Sequence, residues 1–146
     1  IGTGWRLSGI YRYSTGAYLT LTSGLDRALN GIAAQRPNQV KGDPYGNRSL
    51  TNYLSPSAFV QPDLGTIGTM GARSVAGPAF WGLDLSLSRA FQIRENQRLE
   101  FRAEAYNVTN SLRRGNPTTA LNSNQFGQIS TALDPRLLQF AMKYIF

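Results

Sequence analysis

The chain has 146 residues, of which 41% are hydrophobic, 11% aromatic and only 16% charged. Lys and Arg number 15 against 8 Asp and Glu, a formal net charge of +7, and there is neither Cys nor His. Disulfides, thiolate metal sites and Cys nucleophiles are therefore excluded, and the commonest general base and metal ligand are missing. The expectation is a protein that is not an enzyme and that uses no cofactor.

No run of about eighteen apolar residues occurs, so no transmembrane helix is expected. Fifteen Gly and seven Pro are scattered without a period, as suits a β-rich chain with many turns. The chain opens on Ile1 without a signal-peptide pattern, and reads as a mature product or as a piece of something longer.

The first regular segment alternates with period two, the period of a strand. Trp5, Leu7, Gly9, Tyr11 and Tyr13 fall on one face; Arg6, Ser8, Arg12 and Ser14 fall on the other, and Ile10 breaks the pattern. Alternation resumes from Ala17 to Thr22, which predicts one strand over about 5–22 with a bulge inside it. From about 23 to 80 the period is lost, and Pro37, Pro44, Pro56, Pro62 and Pro78 mark a long loop. Loops of that length are usually functional or mobile. Tyr45, Tyr53 and Phe59 within it fit ligand contact and loop anchoring equally well.

A second strand is predicted over about 81–93. Trp81, Leu83, Leu85, Leu87, Phe91 and Ile93 share a face with Arg89, opposite Gly82, Asp84, Ser86 and Ser88. The polar run Arg94–Gln97 is a tight turn, and a third strand follows over about 98–108. It carries Leu99, Phe101, Ala103 and Ala105 on one side and Glu100, Arg102, Glu104 and Tyr106 on the other. The pair forms an antiparallel hairpin. A second long loop covers about 109–136, with a brief strand expected at Phe126–Ile129. The last strand runs over about 137–146, where Leu138, Phe140, Met142, Tyr144 and Phe146 alternate with Gln139, Ala141, Lys143 and Ile145.

The fold class is thus all-β: an antiparallel meander of about four long strands with two long loops, part of an outer-membrane barrel or of a strand-paired oligomer. Strands of nine or more residues approach the length that a tilted strand needs to cross a bilayer, whereas strands of soluble sheets are usually shorter. Connections that run long, short, long match the outside loops and periplasmic turns of outer-membrane barrels. Trp5, Tyr11, Tyr13 and Trp81 are placed as interfacial aromatics. Asp84, Glu100, Arg102 and Glu104 are placed as lumen-face or inter-strand charges. With Phe146 at the periplasmic rim, both long segments fall outside and the Arg94–Gln97 turn falls inside.

Several motifs resemble a known family. Gly77-Pro78 and Phe80-Trp81 lead into Leu83-Asp84-Leu85-Ser86-Leu87-Ser88-Arg89, then Arg98-Leu99-Glu100-Phe101-Arg102-Ala103-Glu104-Ala105-Tyr106-Asn107. Asn124-Gln125-Phe126-Gly127-Gln128-Ile129, Asp134-Pro135-Arg136 and Gln139-Phe140-Ala141 follow. Together with Gly4-Trp5-Arg6-Leu7-Ser8-Gly9 and Arg36-Pro37-Asn38-Gln39-Val40, this resembles the C-terminal β-barrel segment of a TonB-dependent outer-membrane receptor. It is most similar to the acidobacterial type with a carboxypeptidase-regulatory-like N-terminal domain. The resemblance implies a 22-stranded, plugged barrel for nutrient uptake. It also implies that Leu138, Phe140, Met142, Tyr144 and Phe146 form the signal read by the barrel-assembly machinery.

About four strands do not close a barrel. The expected partners are upstream barrel strands and a plug in a longer receptor, together with outer-membrane lipid. The alternative is a homo-oligomer through strand edges, an extracellular β-rich filament or tube with a structural role. The expected location is the outer membrane of a Gram-negative bacterium, or the extracellular space for the filament. The cations are dispersed, with only Arg113 and Arg114 adjacent, so no nucleic-acid partner is expected.

Overall fold

The computed structural model describes residues 4–146. Among the described residues eight strands run in order: β1 (Trp5–Ser14), β2 (Tyr18–Leu19), β3 (Asn38–Gln39), β4 (Phe59–Val60), β5 (Val75–Ala76), β6 (Phe80–Arg94), β7 (Gln97–Tyr106) and β8 (Leu137–Ile145). Among the described residues the only helix is one 3-10 turn, Pro56–Ala58. The fold is all-β, as the alternation requires.

The chain divides into two compact units. The first holds the long strands as one antiparallel sheet in the order β1-β6-β7-β8. The register is continuous: Leu7 faces Leu87, Leu87 faces Ala103, and Ala103 faces Phe140. One pleat along, Ser8 faces Ser86, Ser86 faces Glu104, and Glu104 faces Gln139. Four separate alternations thus add up to one apolar and one polar face. Strand pairing with period two demands this coherence, because a slip of one residue would exchange the faces. The β6–β7 connection is the expected tight turn, with a register shift between Gln92 and Arg94.

The first strand is shorter than the sequence predicts. It ends at Ser14, opposite Phe80, rather than continuing to 22. Pro78, just before β6, has no amide hydrogen to extend the ladder. Pairing resumes as the separate two-stranded β2·β5 sheet, Tyr18 with Ala76 and Leu19 with Val75. β7 also stops early, at Tyr106, because Asn107 turns into the left-handed region (φ 49°).

The second unit comprises Thr15–Ala79 and Arg114–Ala132. The two long loops of the sequence reading are therefore packed structure. Leu21, Leu54 and Ala58 are fully buried, and Tyr53, Phe59, Met70, Val75, Phe126 and Ile129 complete one apolar cluster. Phe59 meets Phe126 edge-on, with ring centroids 5.5 Å apart. The brief strand expected at Phe126–Ile129 is instead a turn around Gly127 (φ +75°). The Gly127 carbonyl accepts the amides of Tyr53 (2.9 Å) and Leu54 (3.2 Å), and a Cβ at Gly127 would collide with the Leu54 backbone.

The loop at Asp26 is tied by its carboxylate, which accepts the amides of Gly31 (2.7 Å) and Asn30 (3.1 Å) and the side-chain amide of Gln35 (2.9 Å). These bonds, the Gly31 amide foremost, hold the Asp26 carboxyl below the usual carboxylate range. A depressed folded-state pKa contributes stability above the unfolded pKa and loses it as pH falls through the folded value.

Two outcomes follow from this packing. Gly127→Ala is expected to destabilise the second unit by about 1–3 kcal/mol, from left-handed strain and the Leu54 contact. Amide exchange should show protection lost first at Tyr53 and Leu54. Lowering the pH through the acidic carboxylate range should release the Gly31 and Asn30 amides. NMR should detect that release in wild type, and Asp26→Asn should show it already at neutral pH.

Candidate functional site: the two faces of the four-stranded sheet

The apolar face is open to its surroundings. Leu7 is 69% exposed, Phe140 69% and Met142 70%. An apolar patch of this extent, carried across four registered strands, is not a water-facing surface. Of the residues expected to signal assembly, Leu138, Phe140, Met142 and Tyr144 stand on this face of β8, all exposed. Phe140 stacks near Phe101 (6.5 Å between centroids), and Phe146, just beyond β8, stacks on Tyr144 (5.9 Å).

The four aromatics expected at interfaces occupy both ends of that face. Tyr13 pairs with Trp81, and Tyr11 lies 6.5 Å from the Trp81 ring. Trp5 lies eight residues from Tyr13 along β1, roughly 27 Å at strand rise. Strand tilt shortens this to about 20 Å along a barrel axis, near the height of the apolar band of outer-membrane barrels. Arg89, a cation on this face of β6, lies 5.1 Å from the Trp5 ring centroid and 4.6 Å from that of Phe91. Cation–π contact offsets part of its desolvation.

The polar face carries the expected charges. Arg98 pairs with Glu100 at 2.8 Å, and Arg102 with Glu104 at 3.7 Å. Asp84 bridges strands as an ion pair with Arg12, which stands two pairs further along the register, opposite Gly82. Its other oxygen accepts the Asn107 amide at 2.8 Å and lies 3.9 Å from the Arg113 guanidinium.

Three members of this cluster are missed by sequence reasoning: Arg113, Asn107 and Gly82. Asn107 is buried and closes a local turn, its Oδ1 accepting the Ser111 amide and hydroxyl (3.1 and 3.0 Å). That turn brings Arg113 back over Gly82, where a side chain would collide with the guanidinium. Arg113 Nε and Nη2 have no hydrogen-bond partner among the described residues, which leaves Asp84 as its compensating charge. The available signal was weak: a Gly at a polar-face position and an Asn just after a strand. A cavity of about 470 Å3 beside the cluster takes in Arg12, Arg113, Asp84 and Asp134, so its charges balance.

Tyr45, Tyr53 and Phe59 do not line this cavity. Tyr45 and Tyr53 both donate their hydroxyls to the Ala76 carbonyl (3.1 and 3.2 Å), and Phe59 lies in the second unit's core. Burial, then the neighbouring Tyr45, pushes the Tyr53 phenol above its usual value. They anchor the loops.

Long registered strands, one exposed apolar face and one charged face together describe a sheet built for a bilayer. The family profile of the outer membrane beta barrel domain matches residues 1–139. The chain belongs to this family. Its members are named for the membrane that this architecture suits, and outer-membrane location follows at the level of the family. No curated protein and no solved structure matches the chain significantly.

The Asp84 cluster yields a stability test for this outer-membrane barrel segment. Asp84→Asn leaves the half-buried Arg113 without a counter-charge and is expected to destabilise the sheet by about 2–3 kcal/mol. Arg113→Met should remove part of that loss, with a coupling of about 1 kcal/mol or more in urea unfolding from bilayers.

Proposed function

We propose that this chain is the C-terminal part of the barrel of a TonB-dependent receptor-like transporter, non-catalytic and engaged in nutrient uptake across a Gram-negative outer membrane. The observation that carries this reading is the apolar face continuous over β1, β6, β7 and β8. On this reading Leu85, Leu87 and Phe140 face lipid, and Ser86, Ser88, Glu100, Arg102 and Glu104 face a hydrated lumen. Trp5 marks one interface, and Tyr11, Tyr13 and Trp81 the other. Both long connections leave the sheet from its Ser14–Phe80 end, which suits outside loops that meet substrate. Leu138, Phe140, Met142, Tyr144 and Phe146 serve as the assembly signal. The acidobacterial type remains the favoured subgroup on the sequence motifs quoted above. Upstream strands and a plug complete the transporter, and neither nucleic acid nor a cofactor takes part.

A second reading is favoured by one specific feature. β1 and β8 are the sheet edges and run in opposite directions, so the β8 edge of one copy meets the β1 edge of the next antiparallel. Such head-to-tail pairing closes into a ring or continues as a filament. In that form the chain is an extracellular structural strand-assembly.

Spin labels at positions 87 and 88, introduced as Leu87→Cys and Ser88→Cys, test the first reading. The label at 87 should be accessible to oxygen and shielded from a water-soluble nickel chelate; the label at 88 should show the reverse. Equal water access at both positions would overturn the lipid-facing assignment. Electron microscopy separates the two readings: fibres of the chain alone, formed without detergent, would install the structural role in place of transport.

A further inference from the structure

The charges of the polar face are unevenly matched. Arg12 is paired with Asp84, Arg98 with Glu100 and Arg102 with Glu104. Arg6 and Lys143 lie within ion-pair distance of no carboxylate among the described residues. Both line one hollow of about 530 Å3 toward the end of the sheet that bears the β6–β7 turn.

The register builds this hollow. Arg6 faces Ser88, Ser88 faces Arg102, and Arg102 faces Ala141; in the next row Ala90 faces Glu100, and Glu100 faces Lys143. Ser88, Ala90 and Ala141 are short, so the floor is low and the long cationic side chains form the rim. Arg6, Arg98, Arg102 and Lys143, together with Arg89 from the apolar-face row, line it against Glu100 alone, whereas the cavity beside Asp84 holds two cations and two carboxylates. Arg6 on β1 and Lys143 on β8 stand three strand spacings and one same-face row apart, roughly 16 Å at the backbone. A single small anion does not satisfy both, but an anion with two charged groups is reached by side chains leaning in from either edge. Guanidinium pairs with phosphate oxygens bidentately, and Lys adds a mobile point charge.

We infer that this hollow binds small polyanions bearing phosphate groups, with Arg6 and Lys143 as its unmatched cations and Arg102 between them. As a binding site it stands on the sheet's own geometry. As a station for solutes passing through a barrel it rests on the lumen assignment proposed above, where Arg and Lys lining a pore favour anions.

Pyrophosphate is the probe, titrated against the intact native assembly at low salt and followed by phosphorus NMR. Saturable broadening is expected. Arg6→Gln and Lys143→Gln should each weaken binding about five- to tenfold, as loss of one charge-assisted contact does. Arg73→Gln, an exposed cation of the second unit, should change nothing. Wild-type protein gives an independent reading, because the chain has two lysines, Lys41 and Lys143. Pyrophosphate should slow acylation of Lys143 and leave Lys41 unaffected. No broadening, equal loss in all three variants, or equal labelling of the two lysines overturns the site. Failure here with the expected label pattern at 87 and 88 leaves the lipid-facing assignment standing; the reverse pattern of results removes the passage but keeps the site.

Discussion

The free rows of N–H and C=O groups along the outer edges of β1 and β8 set the terms for the whole sheet. In water such edges are solvated, while in hydrocarbon each unpaired group costs several kcal/mol. Four strands fall short of the eight or so that close even a small barrel. On the proposed reading, further strands satisfy those edges and the apolar face then meets lipid. Pairing fixes the neighbours, and the neighbours then fix which face meets lipid.

Within that frame the charged residues follow a consistent economy of position. On the greasy face Arg89 is covered by the rings of Trp5 and Phe91. On the polar face most cations have a carboxylate on their own strand or the next one. Arg113 is the exception in kind, since it comes from the connection after β7 and returns over Gly82 to the Asp84 carboxylate. That one residue links the course of a long connection to the chemistry of the strand face.

The sheet was legible in the sequence because each strand has two different environments. Leu83, Leu85 and Leu87 against Asp84, Ser86 and Ser88 is a pattern that only a pleated strand resolves into two faces. The tight turn placed β6 against β7, but the β1·β6 and β7·β8 registers lie across long connections that no local signal sets. The second unit was not legible, for a physical reason. Leu21, Leu54, Val75 and Phe126 reach a common core from irregular backbone, so no period marks them. Their order comes from side-chain-to-backbone bonds, such as the two tyrosine hydroxyls on the Ala76 carbonyl, that join residues far apart in the chain. The strand expected to run to 22 fails for a related reason: the alternation of Ala17–Thr22 is genuine, but its pairing partner is β5 rather than β6. The Asp84 cluster stayed hidden because Asn107 and Ser111 had first to make a turn.

The opposed directions of β1 and β8 also bear on how such proteins diversify. A block of four antiparallel strands begins and ends on the same side of the sheet, so adding or removing such a block alters a barrel's circumference without turning any loop to the wrong side of the membrane. Genetic drift in pore width thereby becomes compatible with a fixed outward address for every loop.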